Sequence, residues 1–422
     1  MSNDSTGSSR WAVLEIPDFR VLMATRLGTF MSLQAQAVVV GWQVYQLRPD
    51  PLLLGLLGLA EAVPAIGCAF FSGHIVDTHR PASVFRLSLL ALLLNTCMLF
   101  AAILPSIPLS ADMRIALLFF AVFVSGAARA FFTPSVFSLI PEVVSRRLIA
   151  PASAWSSSIY QMASIAGPAL GGLIYGAFGP VVAFATPLII QSFAFLVSLR
   201  LSSSAREFQS TSRREPFAKS IVSGLRFTFR HRVLFSAMTL DMFSVLFGGA
   251  VAVLPIFADQ VLHVGSIGLG WLRAAPAIGS VIIAIVLAVR PMRVITGKTL
   301  LWAVAGFGAS TLLFSLSTNF ILSLVFLGLS GAFDGVSMVI RSTILQLLTP
   351  EDMRGRVSSV NSVFITSSNE IGAFESGVAA RLLGLVPSVF FGGAMTLVIV
   401  ALTFWLFPEL RKTRIATHGE PS

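Results

Sequence analysis

Charge is scarce in this chain. Asp, Glu, Lys and Arg together make up only 11% of its 422 residues, whereas 55% are hydrophobic and the mean hydropathy is +0.85. One soluble core cannot bury so much apolar surface, because the share of surface that folding removes from water rises only slowly with chain length. The composition therefore excludes an ordinary soluble globular protein and predicts a protein that is solvated by lipid.

Cysteine is nearly absent as well. Cys68 and Cys97 are the only two, and both fall inside apolar runs without zinc-site spacing, so we expect neither a disulfide nor a metal centre. His74, Asp77 and His79 lie close in sequence, but their spacing fits no standard metal motif. A Gly-Lys-Ser/Thr phosphate loop is missing, and no nucleophile, base and orienting group occur at a recognisable spacing. The sequence predicts no cofactor, no ATP hydrolysis and no enzyme.

Long apolar runs are abundant. A helix needs about 20 apolar residues to cross the hydrocarbon of a bilayer, and the sequence contains twelve such runs. The first ten residues lack the apolar core of a secretory signal, so they are predicted to form a tail. The predicted spans 1 to 12 are residues 21–45, 52–73, 84–104, 115–140, 152–177, 181–199, 233–258, 267–289, 299–316, 320–347, 359–383 and 386–407.

The net charge of +10 is distributed unevenly between the two sides of these spans. Most of the 29 Lys and Arg lie in the termini and in every second loop, whereas the other loops carry only Arg48, Arg114 and Arg381. Positive residues accumulate in cytoplasmic loops, which predicts a multi-pass protein of the bacterial cytoplasmic membrane with both termini inside the cell. Because no soluble basic domain exists, we expect no nucleic-acid partner.

A nonapeptide recurs within the chain. LAEAVPAIG at residues 59–67 returns as WLRAAPAIG at residues 271–279, an offset of 212 residues. Two parallel six-span halves are a symmetry known from secondary transporters. The predicted organisation is a cytoplasmic tail (1–20), an N-terminal six-helix half (21–200), a cytoplasmic linker (201–232), a C-terminal six-helix half (233–407) and a second cytoplasmic tail (408–422).

Nine ionisable residues fall inside the predicted spans, where a charge is costly unless it faces protein or water. Spans 3, 6, 9 and 12 carry none of them, so we expect these four to face lipid and the other eight to surround a central polar cavity. The equivalent positions Glu61 and Arg273 have opposite charges in the two halves. The nine residues are Arg26, Glu61, Arg129, Asp241, Arg273, Asp334, Arg341, Glu370 and Glu375.

Four stretches resemble the major facilitator superfamily and, within it, the bacterial enterobactin-exporter and macrolide-efflux group. They are DFRVLMATRLGTF (18–30), GHIVDTHRP (73–81), GPALGGLI (167–174) and TPEDMRGRVSSVNSVF (349–364), within a likeness that covers about residues 19–411. The resemblance implies an all-α integral membrane fold of twelve transmembrane helices, arranged as two six-helix pseudo-repeats around a central cavity.

The resemblance also implies a cytoplasmic gate formed by Gly73, Asp77, Arg80, Glu351, Arg354 and Arg356. Thr78 stands where the family usually has Arg, and Pro81 interrupts the basic run that follows. The stretch Gly167, Pro168, Gly171 and Gly172 is similar to an antiporter motif, and close helix packing through small residues explains the same letters.

These observations favour a secondary transporter: a proton-coupled exporter of a small amphiphilic molecule, a siderophore-like metabolite or a drug, by alternating access. A proton carrier must change charge, which selects the carboxylates Asp241, Asp334, Glu61, Glu370 and Glu375. The repeat offset also brings Asp241 and Arg26 into register as a possible pair across the cavity. The candidate substrate contacts are Arg26, Arg129, Arg273 and Arg341, with Trp42, Phe131, Phe132 and Trp155.

Two other functions remain open on the sequence. An importer or facilitator would have the same fold, and a non-transporting membrane sensor would tolerate loss of the buried carboxylates. The expected partners are membrane lipid, protons and the small-molecule substrate, and the expected state is a monomer.

Overall fold

The computed structural model describes residues 12–202, 217–290, 292, 294–350 and 353–416, and helices dominate this part of the chain. The first five long helices are α1 (Pro17–Leu47), α2 (Pro51–Thr78), α3 (Pro81–Ile103), α4 (Ala111–Val143) and α5 (Ile149–Ser198). The remaining long helices are α6 (Phe217–Arg230), α7 (Arg232–Gly248), α8 (Gly265–Val289), α9 (Gly297–Leu316), α10 (Phe320–Leu348), α11 (Arg354–Leu383) and α12 (Leu385–Leu406).

Shorter elements connect or flank these helices. Two antiparallel strands, β1 (Val294–Thr296) and β2 (Arg414–Ala416), pair Ile295 with Ile415. The short helical elements are Val13–Glu15, Arg146–Leu148, Val251–Val253, Leu254–Ile256, Phe257–Val261 and Pro408–Lys412.

Local sequence sets most helix starts. Proline occupies the first position of α1, α2 and α3, where its missing N–H and fixed φ suit a helix N-terminus. Side chains accept hydrogen bonds from free N–H groups at other starts: Ser110 from Met113 at α4, and Asn319 from Ile321 at 2.9 Å at α10.

Nine helices of the described part are long and apolar enough to cross a membrane, judged by length and composition. One of them, α5, is kinked at Gly179, where φ is +80°, so this single helical segment contains predicted spans 5 and 6. The two predicted spans outside the nine are α1 and α11, which are long enough but more polar. Polar residues on a membrane helix are expected where it faces protein or water.

The chain divides into two compact units. The first contains residues up to Leu47 and from Val63 to Arg214, and the second contains Arg48–Ala62 and Glu215 onward. Helix α2 is therefore divided, with its first part belonging to the second unit.

In the first unit, α1 lies along both halves of α5 at close range. A Cβ atom at Gly171 would lie 2.9 Å from the carbonyl oxygen of Ala35, so this contact needs glycine. Farther along the same interface, the Ser32 hydroxyl donates to the carbonyl of Pro187 at 2.9 Å. Gln36 donates to Thr96 of α3 at 3.1 Å, so a hydrogen bond also connects α3 to α1.

In the second unit, α8 packs against α10 through the repeated nonapeptide. A Cβ atom at Gly279 would overlap the backbone of Gly328, and one at Gly331 would overlap the backbone of Pro276. Gly67 is the counterpart of Gly279 in the first copy of the nonapeptide. A Cβ atom added at Gly67 would have no described neighbour within 4 Å. The two copies thus share their letters, but among the described residues the glycine packs closely against a neighbouring helix in the second copy and not in the first.

The predicted span 233–258 lies within the candidate membrane segment Arg232–Val261, whose helix is interrupted in its middle. Helix α7 ends at Gly248, and a Gly249–Ala250 break precedes short helical turns that continue to Val261. The broken backbone is hydrogen-bonded by neighbouring helices, because Ser376 of α11 donates to the Gly249 carbonyl at 2.7 Å and Thr396 of α12 donates to that of Ser244 at 3.2 Å. Irregular backbone at membrane depth requires such partners.

The segment after α12 packs onto the second unit. Leu410 is fully buried in its core, and the Gly297 N–H donates to the Thr413 carbonyl at 3.1 Å. Arg232 donates to Glu409 at 2.6 Å, and hydrogen bonds from its own backbone and from Arg232 hold the pKa of Glu409 below its ordinary value. The segment 408–416 therefore packs against the connection between α8 and α9.

Candidate functional site

Two buried charges of the second unit form an ion pair. Asp241 of α7 pairs with Arg341 of α10, and the two side chains are 9% and 5% exposed. The repeat register had suggested Arg26 as the partner of Asp241; within the second unit its partner is Arg341. Removing either member would leave a buried uncompensated charge.

A second pair of opposite charges joins α8 and α11 in the same unit. Arg273, from the repeated nonapeptide, interacts electrostatically with Glu370. The Glu370 carboxylate also lies close to Gly58 of α2, where an added Cβ would be 3.8 Å from its Oε2. Glu61, one turn beyond Gly58 on α2, is half-buried. Arg273 therefore lies within electrostatic range of Glu370, and Glu370 in turn lies beside α2.

Two further carboxylates of the second unit stand alone. Asp334 of α10 and Glu375 of α11 are half-buried, and neither has a hydrogen bond or ion pair among the described residues. A carboxylate of this kind can take up a proton without first breaking a salt bridge.

Arg26 of the first unit lies among aromatic rings. It is 6% exposed, and its guanidinium carbon lies 5.1 Å from the ring centre of Phe30 and 5.8 Å from that of Phe137. Phe30 in turn packs edge-on against Tyr160 at 5.1 Å and against Phe132 at 5.7 Å. Nε and Nη1 of Arg26 are buried without a hydrogen-bond partner in the described structure.

The other candidate substrate contacts of the first unit vary in exposure. Trp42 is 6% exposed and packs against Tyr45 at 5.7 Å, and Phe132 is 1% exposed and stacks on Phe85 at 5.5 Å. Both are therefore core residues of the first unit. The half-buried candidates are Arg129, Phe131 and Trp155, of which Trp155 packs against the first-unit core.

The predicted gate is only partly described. Gly73 and Asp77 lie near the end of α2 and Arg354 begins α11, but the side chains of Asp77 and Arg354 lie outside the described part, as does all of Glu351. Arg80 is exposed and directly precedes α3. Arg356 donates to the hydroxyl of Ser223 on α6 at 3.3 Å. This hydrogen bond connects the first turn of α11 to α6, which lies in the predicted linker 201–232.

The glycine stretch of α5 meets α1. Gly167 and Gly171 both face the α1 backbone, and a Cβ at Gly167 would lie 2.6 Å from that of Gln34. Pro168 and Gly172 belong to the same two turns of α5. Close packing of two helices through small residues accounts for the motif.

Sequence reasoning missed the aromatic neighbours of Arg26. Phe30 follows Arg26 by four residues, which places both on one helix face, so this contact was available from spacing. Phe137 and Tyr160 come from α4 and α5, and no sequence signal links them to Arg26.

Comparison with known proteins yields consistent matches. The model of a family described as transmembrane secretion effector matches residues 8–418. The enterobactin exporter EntS of Escherichia coli O1:K1 / APEC is 24% identical over 408 residues, which covers 94% of each chain.

Solved structures match over similar lengths. A D-xylose–proton symporter superposes with a TM-score of 0.71 at 12% identity, covering 93% of this chain and 98% of the symporter. A bacterial homologue of the iron transporter ferroportin, in an inward-facing state, gives a TM-score of 0.69 at 16% identity and covers 95% of this chain and all of that one. At such identities the structures establish the fold alone.

Proposed function

Because the chain belongs to the transmembrane secretion effector family of the major facilitator superfamily, we propose that it is a proton-coupled exporter of a small amphiphilic molecule. The family makes it a multi-pass membrane transporter and not an enzyme, and the predicted resemblance and fold are confirmed. The direction of transport, the coupling ion and the substrate are our proposal.

Export is supported by the relatives. The enterobactin exporter aligns along 94% of its length with 94% of this chain, so the match extends over nearly the whole of both proteins. We propose the same outward direction, from the cytoplasm of a bacterium across its inner membrane, with both termini inside. The two halves, residues 21–200 and 233–407, would alternate access to a central site while the linker 201–232 stays cytoplasmic.

Proton coupling is supported by the buried pair of Asp241 and Arg341. Protonation of Asp241 would remove its negative charge and with it the attraction that holds Arg341. A transporter can use such a step to change conformation only after a proton has bound. Asp334, Glu375, Glu61 and Glu370 are the further carboxylates that we propose for the proton path.

The predicted arginine contacts and the gate keep their roles in this proposal, whereas the core residues Trp42 and Phe132 are left out of the substrate site. Arg26, Arg129, Arg273 and Arg341 would meet polar oxygens of the substrate, with Phe131 and Trp155 at its apolar part. The gate residues Gly73, Asp77, Arg80, Glu351, Arg354 and Arg356 would close the cytoplasmic side.

Direction is tested in everted membrane vesicles, whose interior corresponds to the outside of the cell. Respiration acidifies that interior, so a proton-coupled exporter accumulates substrate there as protons leave. Hydrophobic drugs and metal-free siderophores are added in turn, with and without an uncoupler. Accumulation that the uncoupler abolishes is expected.

The alternatives give different results in the same vesicles. An importer would empty preloaded vesicles when the interior is acidified, and a facilitator would equilibrate the substrate regardless of the uncoupler. A sensor would move no substrate. Any of these three results contradicts proton-coupled export, and Asp112→Asn, which alters an exposed carboxylate at the start of α4, serves as the matched control.

A further inference from the structure

Among the residues that the structure describes, Arg26 forms no ion pair with a carboxylate of its own unit. Its aromatic neighbours belong to α1, α4 and α5, and the acidic residues of these helices occur only in first or last turns. These residues are Asp18 at the start of α1, and Asp112 and Glu142 at the two ends of α4. Arg26 lies eight residues, about two helical turns, beyond Asp18, and no ion pair joins it to any of these three carboxylates among the described residues.

The other buried arginines differ in this respect. Arg341 is paired with Asp241, and Arg273 interacts with Glu370. Asp241, which the repeat register had suggested for Arg26, is engaged by Arg341. A buried guanidinium without an anion is costly in a membrane protein, so a chain retains one where something else supplies the negative charge.

The surroundings of Arg26 indicate what supplies this charge. Phe30 and Phe137 contact the guanidinium through their ring faces, an interaction that leaves its N–H groups free to donate. Nε and Nη1 have no acceptor among the described residues. The Nε–H group and the Nη1 amino group lie on different edges of the guanidinium, and each edge, completed by Nη2, fits the paired oxygens of a carboxylate or a similar planar anion.

We propose that Arg26 is the anchor for a small aromatic acid, whose paired oxygens accept hydrogen bonds from the guanidinium and whose ring packs against Phe137 and Tyr160. Tyr160 is 45% exposed and Phe137 is 60% exposed, so both rings keep surface available for a ligand. An aryl carboxylate and a catecholate share this chemistry. The inference rests on the proposed transport function and specifies its substrate class as anionic.

The test measures equilibrium binding to the purified full-length protein in detergent by calorimetry. Salicylate serves as the probe, salicylamide as a neutral analogue with the same ring, and benzylamine as a cationic one. We expect salicylate to bind at least about tenfold more tightly than either analogue, because one charge-assisted hydrogen bond is worth about that factor. Tighter binding of benzylamine or salicylamide would overturn the proposal.

Variants locate the site. Arg26→Gln is expected to weaken salicylate binding about tenfold or more, and Arg26→Lys to weaken it less, because the charge remains but the paired donors do not. Arg200→Gln, which removes an exposed arginine of the same unit, should bind salicylate as the parent does. Equal binding by Arg26→Gln and the parent overturns the proposal.

Thermal unfolding separates a ligand anchor from a structural residue. If Arg26 awaits a ligand, Arg26→Gln should unfold at the same temperature as the parent or higher, because an uncompensated buried charge is gone. Salicylate should raise the midpoint of the parent and leave that of the variant unchanged. A lower midpoint for Arg26→Gln, with no effect of salicylate on the parent, contradicts the proposal.

This experiment is independent of export and coupling. It uses no gradient and no second compartment, so binding can succeed while vesicles show no proton-driven accumulation, which would contradict only the proposed function. Normal export of cationic or neutral drugs, together with no salicylate binding, would contradict only the substrate class.

Discussion

Asp241 and Arg341 join α7 and α10 through an ion pair that is almost fully removed from solvent. Breaking such a pair on one side leaves a buried charge, whereas replacing both members by apolar residues does not. The two kinds of variant therefore have different expected effects on stability and on transport.

Arg341→Met should lower the free energy of unfolding by about 3–5 kcal/mol, and the double variant Asp241→Leu/Arg341→Met should recover most of that loss. Thermal unfolding in detergent measures both. The matched control is Arg232→Gln, which breaks the exposed pair with Glu409 and should leave the unfolding midpoint nearly unchanged, because solvent screens an exposed pair. A double variant as unstable as the single one would show that the pair does not control this part of the unit.

The repeated glycines give a second prediction. Gly279→Ala should lower the free energy of unfolding by about 1–3 kcal/mol, because its Cβ would press on the backbone of Gly328 and the two helices must move apart. Gly67→Ala should not lower the free energy of unfolding and should raise helix stability by up to about 1 kcal/mol, because its Cβ has no neighbour within 4 Å among the described residues. Both are read from unfolding midpoints, and equal effects at the two positions would contradict the packing difference.

The segment after α12 gives a third prediction. Leu410→Ala should cost about 2–5 kcal/mol, because Leu410 is fully buried under the connection between α8 and α9. Leu406→Ala changes the same residue type one turn earlier, where the side chain is 66% exposed, and should leave the unfolding midpoint nearly unchanged in detergent. If Leu410→Ala is equally mild, the segment does not stabilise the second unit.

The spans were predictable because hydropathy depends only on composition over about 20 residues. The helix starts at Pro51 and Pro81 lie within a few residues of the predicted span starts 52 and 84. The break at Gly249 was missed because apolar residues continue on both sides of it. Hydropathy does not detect a backbone change whose hydrogen bonds are completed by distant Ser376 and Thr396.

The candidate site was predictable in residue type but not in pairing. Charges inside apolar runs marked Asp241, Arg341 and Arg26, since few such charges are tolerated without a role. The repeat offset aligned Asp241 with the region of Arg26, but an offset carries no information on side-chain direction. The partner of Asp241 depends on the packing of α7 against α10, which only the folded second unit specifies.

The antiparallel pairing of β1 and β2 had no sequence signal either. Each strand has three residues, too few for an alternating pattern, and they are more than 110 residues apart in the chain. The predicted tail 408–422 therefore contains a short helix and a strand in its described part.

The most direct test of proton coupling compares the parent with Asp241→Asn in liposomes that contain a pH-sensitive dye. Asparagine resembles the protonated aspartate, so the variant should still exchange labelled substrate across the membrane but should neither move protons with it nor accumulate it along a pH gradient. Exchange without proton movement in the variant, with both present in the parent and in Asp112→Asn, is the predicted result. Undiminished substrate-dependent proton movement in Asp241→Asn would contradict the account.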